Sequence, residues 1–135
     1  GSGRAPAAAN AQWYRDQGFD KIEQKSVHSV TIPGAIDAWA RMLADHGTWT
    51  FAQALAPAIR YARQGFVVTA RVARDWKRMA PILASQPASA EIYLKSNGEA
   101  PEEGQVWKLP KLADTLQKIA DGGPEAFYTG EIAQG

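Results

Sequence analysis

His28 and His46 are the only imidazoles in the sequence, and with no cysteine any metal site would have to draw on carboxylates. The pair does not stand at a ligand spacing such as i, i+4, so metal binding is not expected. His28 falls in a run that reads as a strand. His46 falls at the end of a helical pattern, where an imidazole favours the dipole. Serine hydrolase chemistry needs a nucleophile on a strained elbow, and no Gly-x-Ser-x-Gly occurs. Arg71, Arg74, Lys77 and Arg78 form a basic stripe beside Trp76, a combination that nucleic-acid faces use. With a net charge of only +1, a solvated helix face with Trp76 in the core is the favoured reading. The five tryptophans, Trp13, Trp39, Trp49, Trp76 and Trp107, could form a carbohydrate platform. Trp39 and Trp76 fall on apolar stripes, so core packing explains them better. Residue chemistry alone therefore assembles no nucleophile, base and orienting group.

The 135 residues suffice for one compact unit, with 45% hydrophobic and 21% charged residues arguing against wholesale disorder. Fifteen basic against fourteen acidic side chains give no field to draw the chain to phosphate backbones, so nucleic acid is not an expected partner. No apolar run approaches the roughly 20 residues of a membrane span, and the first residues lack the layout of a secretory signal. The absence of cysteine leaves the compartment open.

The elements that would position these residues read as mainly α, with four to five helices and one short strand. A loop over "GSGRAPAAA" leads to a short helix over Asn10 to Asp16, ending at Gly18. Lys25 to Ile32, "KSVHSVTI", alternates and is rich in β-branched residues, the only credible strand. From Gly34 the period changes: Ile36, Trp39, Ala40 and Leu43 make a helical stripe stopped at Gly47. Pro33 would set φ in the first helical turn and Gly34 would allow close backbone approach. Thr50 can cap a second helix with Leu55, Ile59 and Ala62 buried, Pro57 kinking or starting it, and Gly65 ending it. Thr69 can cap a third carrying Val72, Trp76, Met79 and Leu83, disturbed by Pro81. Ser85 to Pro110 reads as irregular with at most one helical turn near Ala90 to Tyr93. Leu109, Leu112, Leu116 and Ile119 restore helical spacing until Gly122-Gly123, after which Pro124 opens a last short helix. Residues 1–32 are expected to form a loop, helix and strand leading into a helical part over 33–135, one domain or fragment overall.

Three blocks carry a resemblance: "SVTIPGAIDAW", "GTWTFAQALAPAIRYARQGFVVT" and "LPKLADTLQKIADGGPEAFYTGEIA". In this order and spacing they resemble the large subunit of the γ-glutamyltransferase family, over Gly3 to Ala133. The resemblance implies a fragment of the αββα N-terminal-nucleophile hydrolase fold. Family precursors cut themselves before a threonine, and the new N-terminal Thr attacks a γ-glutamyl amide, its own α-amine serving as base. None of Thr31, Thr48, Thr50, Thr69, Thr115 and Thr129 lies in a segment resembling the processing site, so the chain alone is expected to be inactive.

Arg4, in "SGRAP", is the one site residue the resemblance offers. The family's "R-E-x-A-P" arginine grips the substrate α-carboxylate, a task suited to the guanidinium fork. Arg4 stands two residues before Pro6, whereas the motif's arginine stands four before, at the position of Ser2. Either Arg4 reaches the same carboxylate from a shifted backbone, or the site takes another acyl group, as in acylase-like relatives. A surface loop arginine is the plain alternative. No metal or organic cofactor is implied. The implied partners are the rest of the large subunit, the small catalytic subunit and a γ-glutamyl or other acyl amide. Export, to periplasm or extracellular space, is what the resemblance implies for location. A free-standing helical interaction module using "PEEGQVWKLP" remains a reading from a different class.

Overall fold

The computed structural model describes residues 7–23 and 26–134. The chain divides into two compact units, Gly1–Thr48 and Trp49–Gly135.

In the first unit, α1 (Ala11–Asp16) starts at Asn10, whose side-chain oxygen accepts the Trp13 N–H at 3.0 Å. Gly18 turns the chain at positive φ, and the Phe19 N–H closes back on the Tyr14 carbonyl at 3.0 Å. The expected strand over Lys25–Ile32 does not form: Val27–Ser29 is a 3-10 turn and Val30–Ile32 pairs with no described strand. Lys25 itself lies outside the described residues. The reason is local. The Ser29 N–H and hydroxyl both donate to the Ser26 carbonyl, at 3.1 and 2.8 Å, offering the backbone an alternative to a ladder. A run of β-branched residues without a neighbouring strand has nothing to pair with, and Val27 and Val30 are exposed.

Helix α2 (Ala35–His46) follows, with Arg41 Nε donating to Asp37 Oδ2 at 2.8 Å across one turn. Pro33 thus precedes the helix rather than opening it, and a Cβ on Gly34 would meet nothing within 4 Å, so close approach is not its role there. The helix stops at Gly47, where a Cβ would come within 2.7 Å of the Leu43 carbonyl oxygen. Ile36 is buried, Ala40 and Leu43 are half-buried, but Trp39 is 43% exposed.

The second unit begins with a capping box. Thr50 Oγ1 accepts the Gln53 N–H, and Gln53 Oε1 accepts the Thr50 N–H, starting α3 (Phe51–Gln64). That helix runs through Pro57 rather than starting there, because the satisfied first turn lies upstream of it. Gly65 ends it at φ +102°, a region that disfavours side chains, and a Cβ there would strike Val106 Cγ1. The turn launches β1 (Phe66–Val67), which pairs antiparallel with β2 (Val106–Trp107), Phe66 opposite Trp107. This ribbon replaces the single strand expected elsewhere. Two more bonds extend it: the Val68 N–H donates to the Gln105 carbonyl and the Gly104 N–H to the Val68 carbonyl.

Helix α4 (Ala70–Ala84) has Thr69 at its N-cap without the expected side-chain bond, and it continues through Pro81. Within the segment read as irregular, α5 (Pro87–Tyr93) makes about two turns. Helix α6 (Pro110–Tyr128) is broken at Gly123, φ +67°, just where Pro124 was expected to open a new helix, and α7 (Glu131–Gln134) ends the described chain. Among the described residues the result is seven helices and one two-stranded ribbon, mainly α but with more helices than expected. Helix α3 packs along α6, and each buries a small residue, Ala62 in α3 and Ala113 in α6. Leu55, Val68, Leu94, Ala100 and Ile119 complete the core. No helix among the described residues is long and apolar enough to cross a membrane.

Candidate functional site

The first unit gathers four rings that no sequence periodicity brings together. Trp13 and Tyr14 project from α1, Phe19 follows its terminal turn, and His28 comes from the 3-10 turn. The His28 ring centroid lies 5.9 Å from Trp13, 5.5 Å from Tyr14 and 5.0 Å from Phe19, in tilted or edge-on contacts. Such packing favours the positive edge of one ring against the face of another. Beside this cluster is a cavity of about 230 Å³. Ala8, Ala9, Val27, Val30 and Thr31 complete its walls, and among the described residues no lining group carries a fixed charge. The strand reading concealed this cluster, because it assigned His28 to a sheet face rather than to a turn folding back on α1.

Arg4, the residue that sequence resemblance singles out, lies outside the described residues. Ala8 and Ala9, on the cavity wall, follow it by four and five positions.

The second unit holds larger concavities, two of which are crossed by charged pairs. One, about 570 Å³, lies between α4 and the loop Lys95–Glu103. Its charges compensate each other: Lys95 Nζ sits 3.2 Å from both Glu99 and Glu102 carboxylates. Hydrogen bonds that the Lys95 ammonium donates to Glu99 and Glu102 raise the Lys95 pKa, while the Asn97 amide first and Lys95 second hold Glu99 below the usual carboxylate value. The Asn97 side chain also accepts the Glu99 N–H at 3.1 Å, so the loop is ordered around this network. The other concavity, about 460 Å³, runs between α5, β2 and the start of α6. It is spanned by a 2.6 Å pair from Lys111 Nζ to Glu91 Oε1, which lowers the Glu91 pKa.

The basic stripe is not an open phosphate face. Arg71, Arg74 and Arg78 each come within 3.5 to 3.8 Å of one carboxylate, Asp75. Trp76 is half-buried, donates Nε1–H to the Tyr93 carbonyl at 2.8 Å and rests edge-on against Trp107. It is a packing residue, as expected. Trp107 is also half-buried, but Trp13, Trp39 and Trp49 are exposed to 40%, 43% and 62%, so core packing explains only two of the five. His46 ends α2 as expected. The hydroxyls of Thr50, Thr115 and Thr129 are tied to backbone groups of their own helices. Among the described residues no group of three or more His, Cys, Asp or Glu side chains could hold a metal ion.

Comparison with known families places these elements. The Gamma-glutamyltranspeptidase family model matches residues 1–135. The chain belongs to the gamma-glutamyltranspeptidase family. It is 36% identical over 135 residues to the glutathione hydrolase-like YwrD proenzyme of Bacillus subtilis (strain 168), covering 99% of this chain and 25% of that protein. It is similar in structure to the gamma-glutamyltranspeptidase of Helicobacter pylori, with TM-score 0.89 and 26% identity over 98% of this chain and 39% of that one. It also resembles the cephalosporin acylase of Bacillus halodurans, with TM-score 0.88 and 37% identity over 99% of this chain and 26% of that one. The mainly helical arrangement is therefore that of gamma-glutamyltranspeptidase-family structures. The chain spans about a quarter of the length of the first of these relatives.

Proposed function

We propose that this chain is a large-subunit segment of a gamma-glutamyltranspeptidase-like N-terminal-nucleophile hydrolase, part of its αββα fold, and that it has no turnover alone. The observation that carries this reading is the family match across residues 1–135 of a chain that spans only a quarter of a relative named as a proenzyme. The complete protein would transfer or hydrolyse the acyl group of an amide, γ-glutamyl amides such as glutathione among them. In that reaction the N-terminal Thr hydroxyl of the small subunit attacks the amide carbonyl carbon and gives its proton to the adjacent α-amine. The C–N bond then breaks, the proton passes to the leaving amine, and water or an acceptor amine takes the acyl group from the ester, regenerating the hydroxyl. An internal threonine cannot do this, because its nitrogen is already in a peptide bond. Arg4 would hold the substrate carboxylate. The rest of the large subunit and the small subunit are the partners, and the site is periplasmic or extracellular.

A second reading, an acylase acting on a different amide, has its own support. "SGRAP" departs from the arginine spacing expected for γ-glutamyl recognition, and the likeness to a cephalosporin acylase is as strong as that to a transpeptidase. The full-length protein assayed on γ-glutamyl anilide and on simple acyl amides separates the two. Turnover of γ-glutamyl anilide alone selects the first, turnover of acyl amides alone selects the second, and inertness to both overturns the pair.

A further inference from the structure

We propose that Asn97-Gly98 is a site of spontaneous deamidation, held shut by the loop around Lys95 and unable to close again once converted. The reaction needs no partner but water. The Gly98 nitrogen attacks the Asn97 Cγ carbon, the Cγ–Nδ2 bond breaks, and ammonia leaves with the proton that the Gly98 nitrogen gives up. Water then opens the cyclic imide. Hydrolysis at Cγ gives aspartate, whereas hydrolysis at the main-chain carbonyl gives isoaspartate, whose backbone carries an extra carbon. Sequence and access single this asparagine out. The 135 residues contain two asparagines, and Asn97 is followed by glycine while Asn10 is followed by Ala11. A glycine has no side chain to screen its nitrogen. Asn97 and Gly98 are both exposed, and among the described residues a Cβ on Gly98 would meet nothing within 4 Å.

The loop opposes the attack at both reacting atoms. Ser96 and Asn97 form a turn in which the Gly98 N–H donates to the Lys95 carbonyl at 2.8 Å, and the Lys95 N–H donates to the Glu99 carbonyl at 2.8 Å. The attacking nitrogen is thus engaged. The carboxamide is engaged as well, since Asn97 Nδ2 donates to Glu99 Oε2 at 2.7 Å and Asn97 Oδ1 accepts the Glu99 N–H at 3.1 Å. Lys95 Nζ fixes that carboxylate in turn, 3.2 Å from Glu99 Oε2 and 3.2 Å from Glu102 Oε1. Buried Leu94 anchors the loop at one end, and buried Ala100 and Pro101 anchor it at the other. Attack therefore waits for local opening. Conversion then removes the latch. A carboxylate oxygen replaces the Nδ2 donor and faces Glu99 with like charge, and the extra carbon of isoaspartate shifts Gly98 and Glu99 out of register with Lys95.

The test incubates the full-length protein at mildly alkaline pH, folded and in guanidinium chloride, and follows the peptide containing Asn97 by mass spectrometry. The rate of gaining the mass of an acid in place of an amide should be roughly tenfold or more lower in the folded protein. Glu99→Ala removes one bond to the carboxamide and should cut that protection, measured against the variant's own unfolded rate, roughly fivefold. Once converted, the folded protein should be cut by trypsin after Lys95 at least roughly fivefold faster than before, because the turn no longer closes. No conversion in guanidinium chloride would overturn the site. Equal folded and unfolded rates, or protection unchanged in Glu99→Ala, would overturn the loop's control of it. Trypsin cleavage after Lys95 that is no faster after conversion would overturn the loss of closure. None of these readouts depends on whether the protein acts on amides, so the inference stands or falls apart from the proposed function.

Discussion

The two compact units differ in where their apolar residues go. In the second, Leu55, Ala62, Val68, Leu94, Ala100, Ala113 and Ile119 are buried, and Ala113 and Val68 have no exposed surface at all. In the first, Ile36 alone among the described hydrophobic residues is buried, while Trp13, Phe19, Ile22, Val27, Val30, Ile32, Trp39 and Met42 stay exposed. The second unit has helices long enough to cover each other and a ribbon to close them. The first has a two-turn helix, a 3-10 turn and one longer helix, too little to enclose its own apolar surface. Exposed surface of that kind marks association. The aromatic cavity lies in this under-packed unit.

The largest effect should come from the second unit's core. Ile119 is 1% exposed, so Ile119→Ala should cost about 2 to 5 kcal/mol, read as a lower urea midpoint of the chain. A loss below about 1 kcal/mol would break the contrast between the units. Gly65→Ala comes next at about 2 kcal/mol, since it combines a positive φ with a collision against Val106. Circular dichroism melts would show it as a lower Tm. Thr50→Ala removes half of a capping box and should cost about 1 kcal/mol in the same melts.

The charged loop should give a smaller, pH-dependent signal. Because Glu99 is held below its ordinary value, near 4.3 when unfolded, its contribution is present above that value and is lost as pH falls through the folded one. Because Lys95 is held above its ordinary value, near 10.4, its contribution is present below that and is lost as pH rises through the folded one. The Tm difference between the chain and its Glu99→Gln variant should therefore shrink steadily as pH falls below about 4.3. A difference that stays constant or grows as pH falls through the acid range would contradict the assignment. The smallest effect belongs to the first unit: Met42→Glu, on a 58% exposed residue, should stay within about 0.5 kcal/mol in this chain. In the full-length protein the same change should destabilise by more than that if the remaining polypeptide covers α2, which sharpens the comparison.

How much was legible follows the same division. Caps and breakers were readable where their partners are local: Thr50, Gly47, Gly65 and the Gly123-Pro124 break act within a few residues, whereas Asn10 was read as the first helical residue and the return bond from Gln53 was not read at all. The ribbon was not, because Phe66 pairs with Trp107 across a long stretch of chain and two residues per strand leave no alternating pattern. The false strand at Lys25–Ile32 arose because β-propensity describes fit to a neighbouring surface, and the serines found a local bond instead. The aromatic cluster was hidden for that reason too, since its fourth ring, His28, arrives through the turn. Arg4 was legible only through family resemblance, and the family match over the whole chain supports that resemblance without testing the arginine.

The account's central claim is that this chain works inside a self-processed, amide-acting enzyme. The most direct test is an intact mass spectrum of the full-length protein from its natural source under denaturing conditions, with the N-terminus of every co-purifying polypeptide read. The account predicts two polypeptides, one containing residues 1–135 and a second beginning with threonine. A single uncleaved polypeptide, or a second one beginning with any other residue, would contradict it.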